Sequence, residues 1–321
     1  MPATDRPRLL ITRRLPEAVE ARATSGYDAR LNADDRQLDS AELVRLAQGV
    51  DALLVCASDR LDRQTIEDLP KEVRAVATFS VGVDHIDLDA ARRRGLVVTN
   101  TPDVLTDATA DIAILLMLGV ARRASEGERL IRSDSWDGWK PTHLMGREVT
   151  GKRLGIVGMG RIGQAVAQRA RAFGMKIHYH NRRPLPEAGG AVYHARIEEM
   201  LPQVDFLSFH CPATPETRHL LNRERIELLP EGAFVINTAR GSIVDDEALI
   251  AALRSGRLGG AGLDVFEGEP NIHPGYRDLP NTFLLPHLGS ATVETRNAMG
   301  FRALDNLDAY FSGKEPPDRV A

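Results

Sequence analysis

The sequence predicts an α/β protein built from two doubly wound parallel-sheet domains. Three observations predict it. The chain has 321 residues, about twice the ~150 of an ordinary domain. Short apolar runs recur along it, separated by helical patterns. Those runs are apolar throughout instead of alternating, as expected of strands covered on both faces by helices.

The first series of runs is "RLLIT", "DALLVCAS", "VRAVATFS" and "GLVVTN", all within the first hundred residues. "TPDVLTDATADIAILLMLGVARR" follows as a helix, with Pro102 as breaker and Thr106 or Asp107 as N-cap. Its greasiest part, Ile112 to Ala121, is too short to span a bilayer and reads as a buried helix. The polar segment "SDSWDGWKPTHLMG" holds both tryptophans, Trp136 and Trp139, and fits no regular pattern. From Gly151 a second series begins, with "RLGIVGMG", "KIHYHN", "VDFLSFHC", "AFVINTAR", "AGLDVF" and "TFLLPHL" as strands and "DDEALIAALRSG" among the helices between them. The segment "SATVETRNAMGFRALDNLDAYFSG" reads as one amphipathic helix ending at Gly313, with only "KEPPDRVA" after it. The expected domains are 1–101 plus 289–321, with 102–288 inserted between them.

A net charge of −4 predicts neither a nucleic-acid nor a membrane partner, so any basic site must be local. Cys56 and Cys211 are too few for a disulfide framework and suit a reducing compartment. The start "MPATDRPRLLITRRLPEAV" lacks the apolar core of a signal peptide, and a cytoplasmic location is expected. There is no Cys/His metal spacing, and His178 and His180, two apart on a strand, are expected to be plain strand residues. No G-x-S-x-G elbow is present.

"GIVGMGRIG" places Gly158, Gly160 and Gly163 in G-x-G-x-x-G spacing, directly after a strand and into a helix. That context turns a weak motif into a dinucleotide site. Gly158 permits the tight turn, Gly160 admits the pyrophosphate, and Gly163 lets helix and strand pack. Met159, Arg161 and Ile162 complete the turn, and the helix start offers N–H groups to the phosphates. A carboxylate that binds the ribose hydroxyls is expected about 20 residues on. Asn181 stands there instead, 18 residues past Gly163, followed by Arg182 and Arg183. Two guanidinium forks suit a 2′-phosphate, so NADP(H) is expected over NAD(H).

The stretches "SVGVDHIDLDAARRRGLVVTNTPDVLTDATADIAILLML", "GIVGMGRIGQAVAQRARAFGM", "NTARGSIVDDEAL", "GAGLDVFEGEP" and "LLPHLGSAT" resemble D-2-hydroxyacid dehydrogenases. Within that family they are most similar to glyoxylate/hydroxypyruvate reductases. The likeness runs from about Val73 to the C-terminus and is weaker before it. It implies a flavodoxin-like substrate domain, a Rossmann dinucleotide-binding domain, and a site in the cleft between them. It also implies a catalytic trio. Arg240 would clamp the substrate carboxylate and polarise its carbonyl, His287 would donate the proton, and Glu269 would keep that imidazole protonated. On the substrate side it implies Val81 and Gly82, whose backbone N–H groups meet the carboxylate, and Ser290. On the cofactor side it implies Cys211, Pro212, Thr217, Thr238, Ala239, Asp264 and Gly289, with Arg240 and His287 beside the nicotinamide. Trp139 resembles the residue of a loop that reaches into a partner subunit's site, so a homodimer is expected.

The expected reaction is NADPH-dependent reduction of glyoxylate to glycolate and of hydroxypyruvate to D-glycerate. The nearest rival is a broader reductase of bulkier 2-keto acids. Formate dehydrogenases carry a glutamine where Glu269 stands, and phosphoglycerate dehydrogenases often carry a regulatory domain for which there is no room. A rival of another class is a dinucleotide-sensing corepressor; such proteins tend to have longer tails than "KEPPDRVA".

Overall fold

The computed structural model describes residues 6–321, and it divides into two compact units. Residues 1–5, part of the stretch read as lacking a signal peptide, lie outside the described residues. One unit runs to Leu105 and resumes over Ala291–Ala321; the other is Thr106–Ser290.

The first unit has five strands: β1 (Arg8–Ile11), β2 (Asp28–Arg30), β3 (Ala52–Cys56), β4 (Ala75–Phe79) and β5 (Val97–Thr99). All pair in parallel, in the order β2-β1-β3-β4-β5. This is the doubly wound order of flavodoxin-like folds. The reason its strands read as continuous apolar runs is visible in the core. Leu10, Leu53, Val55, Val76 and Val98 pack on one face, while Leu9, Ile11, Leu54, Ala77 and Val97 pack on the other. β2 is a short, polar edge strand that the sequence pattern did not reveal.

The helix Val293–Phe311 buries Met299, Gly300, Ala303, Leu304 and Leu307. A Cβ on Gly300 would come within 2.4 Å of Val19, so helix Glu17–Gly26 approaches it closely. The segment "KEPPDRVA" is ordered structure. Val320 N donates to Val98 O at 2.8 Å and Val98 N to Ala321 O at 3.1 Å, laying the chain antiparallel along β5. Asp318 anchors it, accepting from Arg302 Nε at 2.5 Å and Asn306 Nδ2 at 2.9 Å.

The second unit has seven parallel strands: β6 (Arg153–Val157), β7 (Lys176–His180), β8 (Val192–His194), β9 (Phe206–Phe209), β10 (Ala233–Asn237), β11 (Leu258–Leu263) and β12 (Thr282–Leu284). Their order is β12-β11-β10-β9-β6-β7-β8. Apolar side chains again leave both faces, Leu207, Val235 and Leu263 on one and Ile156, Ile177 and Ile236 on the other. β8 is the strand here that the sequence pattern missed. Helix Thr106–Ala121 carries the greasy run and packs on helix Arg161–Ala172 and on β11. Thr106 and Asp107 lie inside its first turn, so the expected cap is displaced toward the N-terminus. No helix among the described residues is long and apolar enough to cross a membrane. The tryptophan segment has neither helix nor strand, and Trp139 is 81% exposed.

The same device opens both sheets. Asp51 takes the backbone N–H of Arg8 and two bonds from its guanidinium, and Asp205 does this for Arg153. Each clamp ties the start of the first strand to the residue preceding a neighbouring strand. Its Arg153 hydrogen bonds hold the Asp205 carboxyl below its usual range despite partial burial. A depressed folded-state pKa adds stability above the unfolded value, and that stability is lost as pH falls through the folded one. Asp205→Asn is therefore expected to destabilise at neutral pH, on the order of 1 kcal/mol. Its thermal midpoint should then fall less than that of the native chain on acidification toward pH ~3. Parallel melting curves across that range would show the clamp to be inert.

Candidate active site

The glycine turn joins β6 to helix Arg161–Ala172. Gly158 has φ +95°, and a Cβ there would meet Cys211 N at 2.5 Å, so both conformation and space require glycine. A Cβ on Gly163 would meet Gly158 O at 2.3 Å. Around Gly160 a Cβ would meet nothing within 4 Å. The protein itself leaves that side open, as an approaching pyrophosphate needs. Arg161 and Ile162 form the first helical turn, where N–H groups and the positive end of the helix dipole face outward.

Asn181 follows β7, and its Oδ1 accepts the Met159 N–H at 2.7 Å. This contact was not legible in the sequence. It commits the amide oxygen to the glycine turn and leaves Nδ2 as the outward group, a donor. Among the described residues Nδ2 has no hydrogen-bond acceptor in the protein. Tyr193 Oη donates to Asn181 O at 3.2 Å, and Tyr179 Oη accepts from Leu185 N at 3.0 Å, bracketing the exposed Arg182 and Arg183. His178 stacks on His194, with Nδ1 and Nε2 3.0 Å apart.

Beyond β9, burial pushes the Cys211 thiol up to about 11 and the His210 imidazole down to about 3. Thr217 Oγ1 donates to Pro212 O at 2.8 Å and accepts from Thr214 N at 2.8 Å, closing the loop between them. Thr238, 9% exposed, lies 3.4 Å from His210 Nδ1.

Arg240 is set by a residue that sequence reasoning passed over. Asn237, at the end of β10, accepts the Ala239 N–H at 3.0 Å and donates to Arg240 O at 2.8 Å, folding the chain sharply there. A Cβ on Gly241 would lie 1.8 Å from Phe266 C, so this turn presses directly on the segment bearing Glu269. An asparagine ending the apolar run "FVIN", just before the arginine, was the available signal.

His287 Nδ1 lies 2.8 Å from Glu269 Oε2, and Glu269 Oε1 accepts the Phe266 N–H at 2.7 Å. Burial pushes the Glu269 carboxyl up. The hydrogen bond and charge of His287, the Phe266 N–H and the Arg240 charge outweigh this and hold it below its ordinary range. His287 itself has φ +56°. Its N–H donates to Asp264 O, while Asp264 Oδ1 and Oδ2 take Leu288 N at 2.6 Å and Gly289 N at 2.8 Å. Asp264, expected on the cofactor side, thus holds the turn that presents His287. Burial raises its pKa against those bonds. Ser290 closes this unit, half-buried.

In the first unit, Val81 and Gly82 lie in the loop after β4. Their carbonyls accept from Asn100 Nδ2 at 2.8 Å and Ser80 Oγ at 2.6 Å.

Residues 114–289 match the family described as D-isomer specific 2-hydroxyacid dehydrogenase, NAD binding domain. The chain belongs to the D-isomer specific 2-hydroxyacid dehydrogenase family. Within it, a glycerate dehydrogenase of Hyphomicrobium methylovorum is 47% identical over 312 residues, covering 96% of this chain and 97% of that one. A glyoxylate reductase of Thermococcus litoralis is 44% identical over 98% of this chain and 97% of its own. These matches extend the likeness to the first seventy residues, where motifs alone left it weak. Among solved structures, an NADPH-dependent glyoxylate/hydroxypyruvate reductase of Sinorhizobium meliloti, in complex with NADP and malonate, superposes with TM-score 0.90 at 38% identity, covering 99% and 97% of the two chains. A glyoxylate reductase from Paecilomyes thermophila gives 0.89 at 34% identity and 99% of each. This 2-hydroxyacid dehydrogenase is therefore an enzyme of the glyoxylate reductase and glycerate dehydrogenase type, with an NAD(P)-binding Rossmann unit.

Proposed function

We propose that this dehydrogenase reduces glyoxylate and hydroxypyruvate, preferring NADPH, with His287 as proton donor. The observation that carries the chemistry is the His287–Glu269 pair at 2.8 Å, on a turn fixed by Asp264. The glycine turn fits a dinucleotide because Gly160 leaves space beside it, the helix terminus offers N–H groups, and Asn181 borders the turn through Met159 N. The bound nicotinamide supplies the hydride. Arg240 holds the substrate carboxylate and draws charge from its carbonyl oxygen. His287 gives that oxygen a proton, and Glu269 stabilises the charged imidazole that donates it. Val81, Gly82 and Ser290 hold the substrate.

NADPH preference is supported by Asn181, which offers a donor where a carboxylate would repel a 2′-phosphate, and by the two arginines beside it. The NADP bound by the Sinorhizobium meliloti relative is consistent with this. Of the nine large hydrophobics exposed among the described residues, five (Leu115, Ile131, Trp136, Trp139 and Met145) fall between Thr106 and Thr150, which supports a dimer built through this segment, with Trp139 at the partner's site.

The test is kcat/KM for glyoxylate, hydroxypyruvate and a bulky 2-keto acid, each with NADPH and NADH. The two small acids with NADPH should lead. A lead for the bulky acid would move the assignment to a broader reductase, and no turnover would favour a sensor. Full activity from a monomer in light scattering would remove the dimer.

A further inference from the structure

Three successive carbonyls of the loop after β4 are each held by a hydrogen bond. Thr101 N donates to Ser80 O at 2.9 Å, Asn100 Nδ2 to Val81 O at 2.8 Å, and Ser80 Oγ to Gly82 O at 2.6 Å. These peptide bonds are trans, so each carbonyl turns the next residue's N–H the opposite way. The N–H groups of Val81, Gly82 and Val83 are thereby directed away from the groups that hold the carbonyls. Among the described residues none of the three donates a hydrogen bond, and all three residues are partly exposed. Consecutive amides without a protein acceptor offer donors to an anion.

Behind the loop stands a chain of side chains whose direction can be worked out. Ser80 gives its single hydroxyl proton to Gly82 O. At its 2.9 Å contact with Thr78 Oγ1 it must therefore accept. Thr78 has then spent its own proton, so at its 2.9 Å contact with His85 Nε2 it accepts in turn. The order is His85 Nε2–H to Thr78, Thr78 to Ser80, Ser80 to Gly82 O. The ring nitrogen facing Thr78 carries a proton, and every link depends on the one before it.

We propose that Ser80 is a positioning residue for carboxylate recognition. Through this one-way chain it fixes the Gly82 carbonyl and so aims the Val83 amide, beside those of Val81 and Gly82, at a substrate carboxylate. The N–H of Val83 is a third donor beyond the two residues read from the sequence. The inference rests on the proposed class of substrate, a small carboxylic acid.

The experiment compares Ser80→Ala, Ser80→Thr and Thr78→Val with the native enzyme, using malonate as the anion probe. Ser80→Ala is expected to raise the malonate Kd and the glyoxylate KM about tenfold, the loss of one well-placed donor network. The kcat at saturation and the NADPH Kd should stay within about twofold, because the anion is bound alike in ground and transition states. Ser80→Thr retains the hydroxyl and should restore most of the affinity. Thr78→Val removes the middle link and should shift the malonate Kd in the same direction by less. A merely structural role would lower NADPH affinity and kcat together with anion binding, and that outcome overturns the proposal. So does an unchanged malonate Kd in either folded variant. A native chain that binds malonate in a Ser80-dependent way yet fails to reduce glyoxylate would count against the substrate assignment and for the loop.

Discussion

Replacing His287 by alanine is expected to lower kcat for reduction by about 10²–10⁴-fold, the usual contribution of a positioned general acid. Dinucleotide affinity should stay near native, since the glycine turn and Asn181 lie on other segments. The imidazole is held from two sides, at Nδ1 by Glu269 and at its backbone by Asp264. That leaves Nε2 as the nitrogen able to give its proton to a bound substrate. Arg240→Ala should differ in kind, raising KM as well as lowering kcat, because on the proposed function one guanidinium would serve both the carboxylate and the developing alkoxide. Glu269→Gln separates charge from shape. It removes the carboxylate that holds His287 Nδ1 at 2.8 Å while keeping its size. The kcat for reduction should then fall, with dinucleotide affinity near native. Near-normal turnover in His287→Ala would sink the assignment.

What the sequence made legible were features whose cause is local or periodic. Most of the ten runs read as strands, KIHYHN excepted, are apolar at adjacent positions because both of their faces are covered, so Leu9 and Leu10 enter opposite cores from adjacent positions. The strands that escaped, Asp28–Arg30 and Val192–His194, are three-residue edges with polar or exposed side chains, and no pattern of that length stands out. The ordering of "KEPPDRVA" was equally hidden, since its partners Val98 and Arg302 come from elsewhere in the chain. The glycine turn was readable because its G-x-G-x-x-G spacing falls directly between a strand and a helix. What Asn237, Asp264 and Ser80 hold was not, because it lies in backbone groups that are settled only by folding. The pairing of Glu269 with His287, 18 residues apart, came from family likeness; spacing alone would not have selected it among nine histidines.

Neutralising Arg182 and Arg183 together is expected to cost NADPH roughly a hundredfold or more in kcat/KM relative to NADH, at about 1.5–3 kcal/mol for each charge-assisted bond lost. NADH makes none of those contacts and should be nearly unaffected. Both arginines are exposed, so the native preference should itself weaken as salt rises. Asn181→Asp should carry the change further, for a reason the geometry supplies. One carboxylate oxygen can keep the Met159 N–H that Oδ1 now accepts. The other oxygen then stands where Nδ2 stands, replacing a donor by a negative charge. It would accept from both ribose hydroxyls of NADH and repel the 2′-phosphate of NADPH, so attraction and repulsion act in the same direction. The triple variant should therefore prefer NADH outright. If the double neutral variant keeps the native cofactor ratio, the arginines are a solvated pair. Discrimination would then have to come from the Asn181 amide alone, which Asn181→Asp on the native background would reveal.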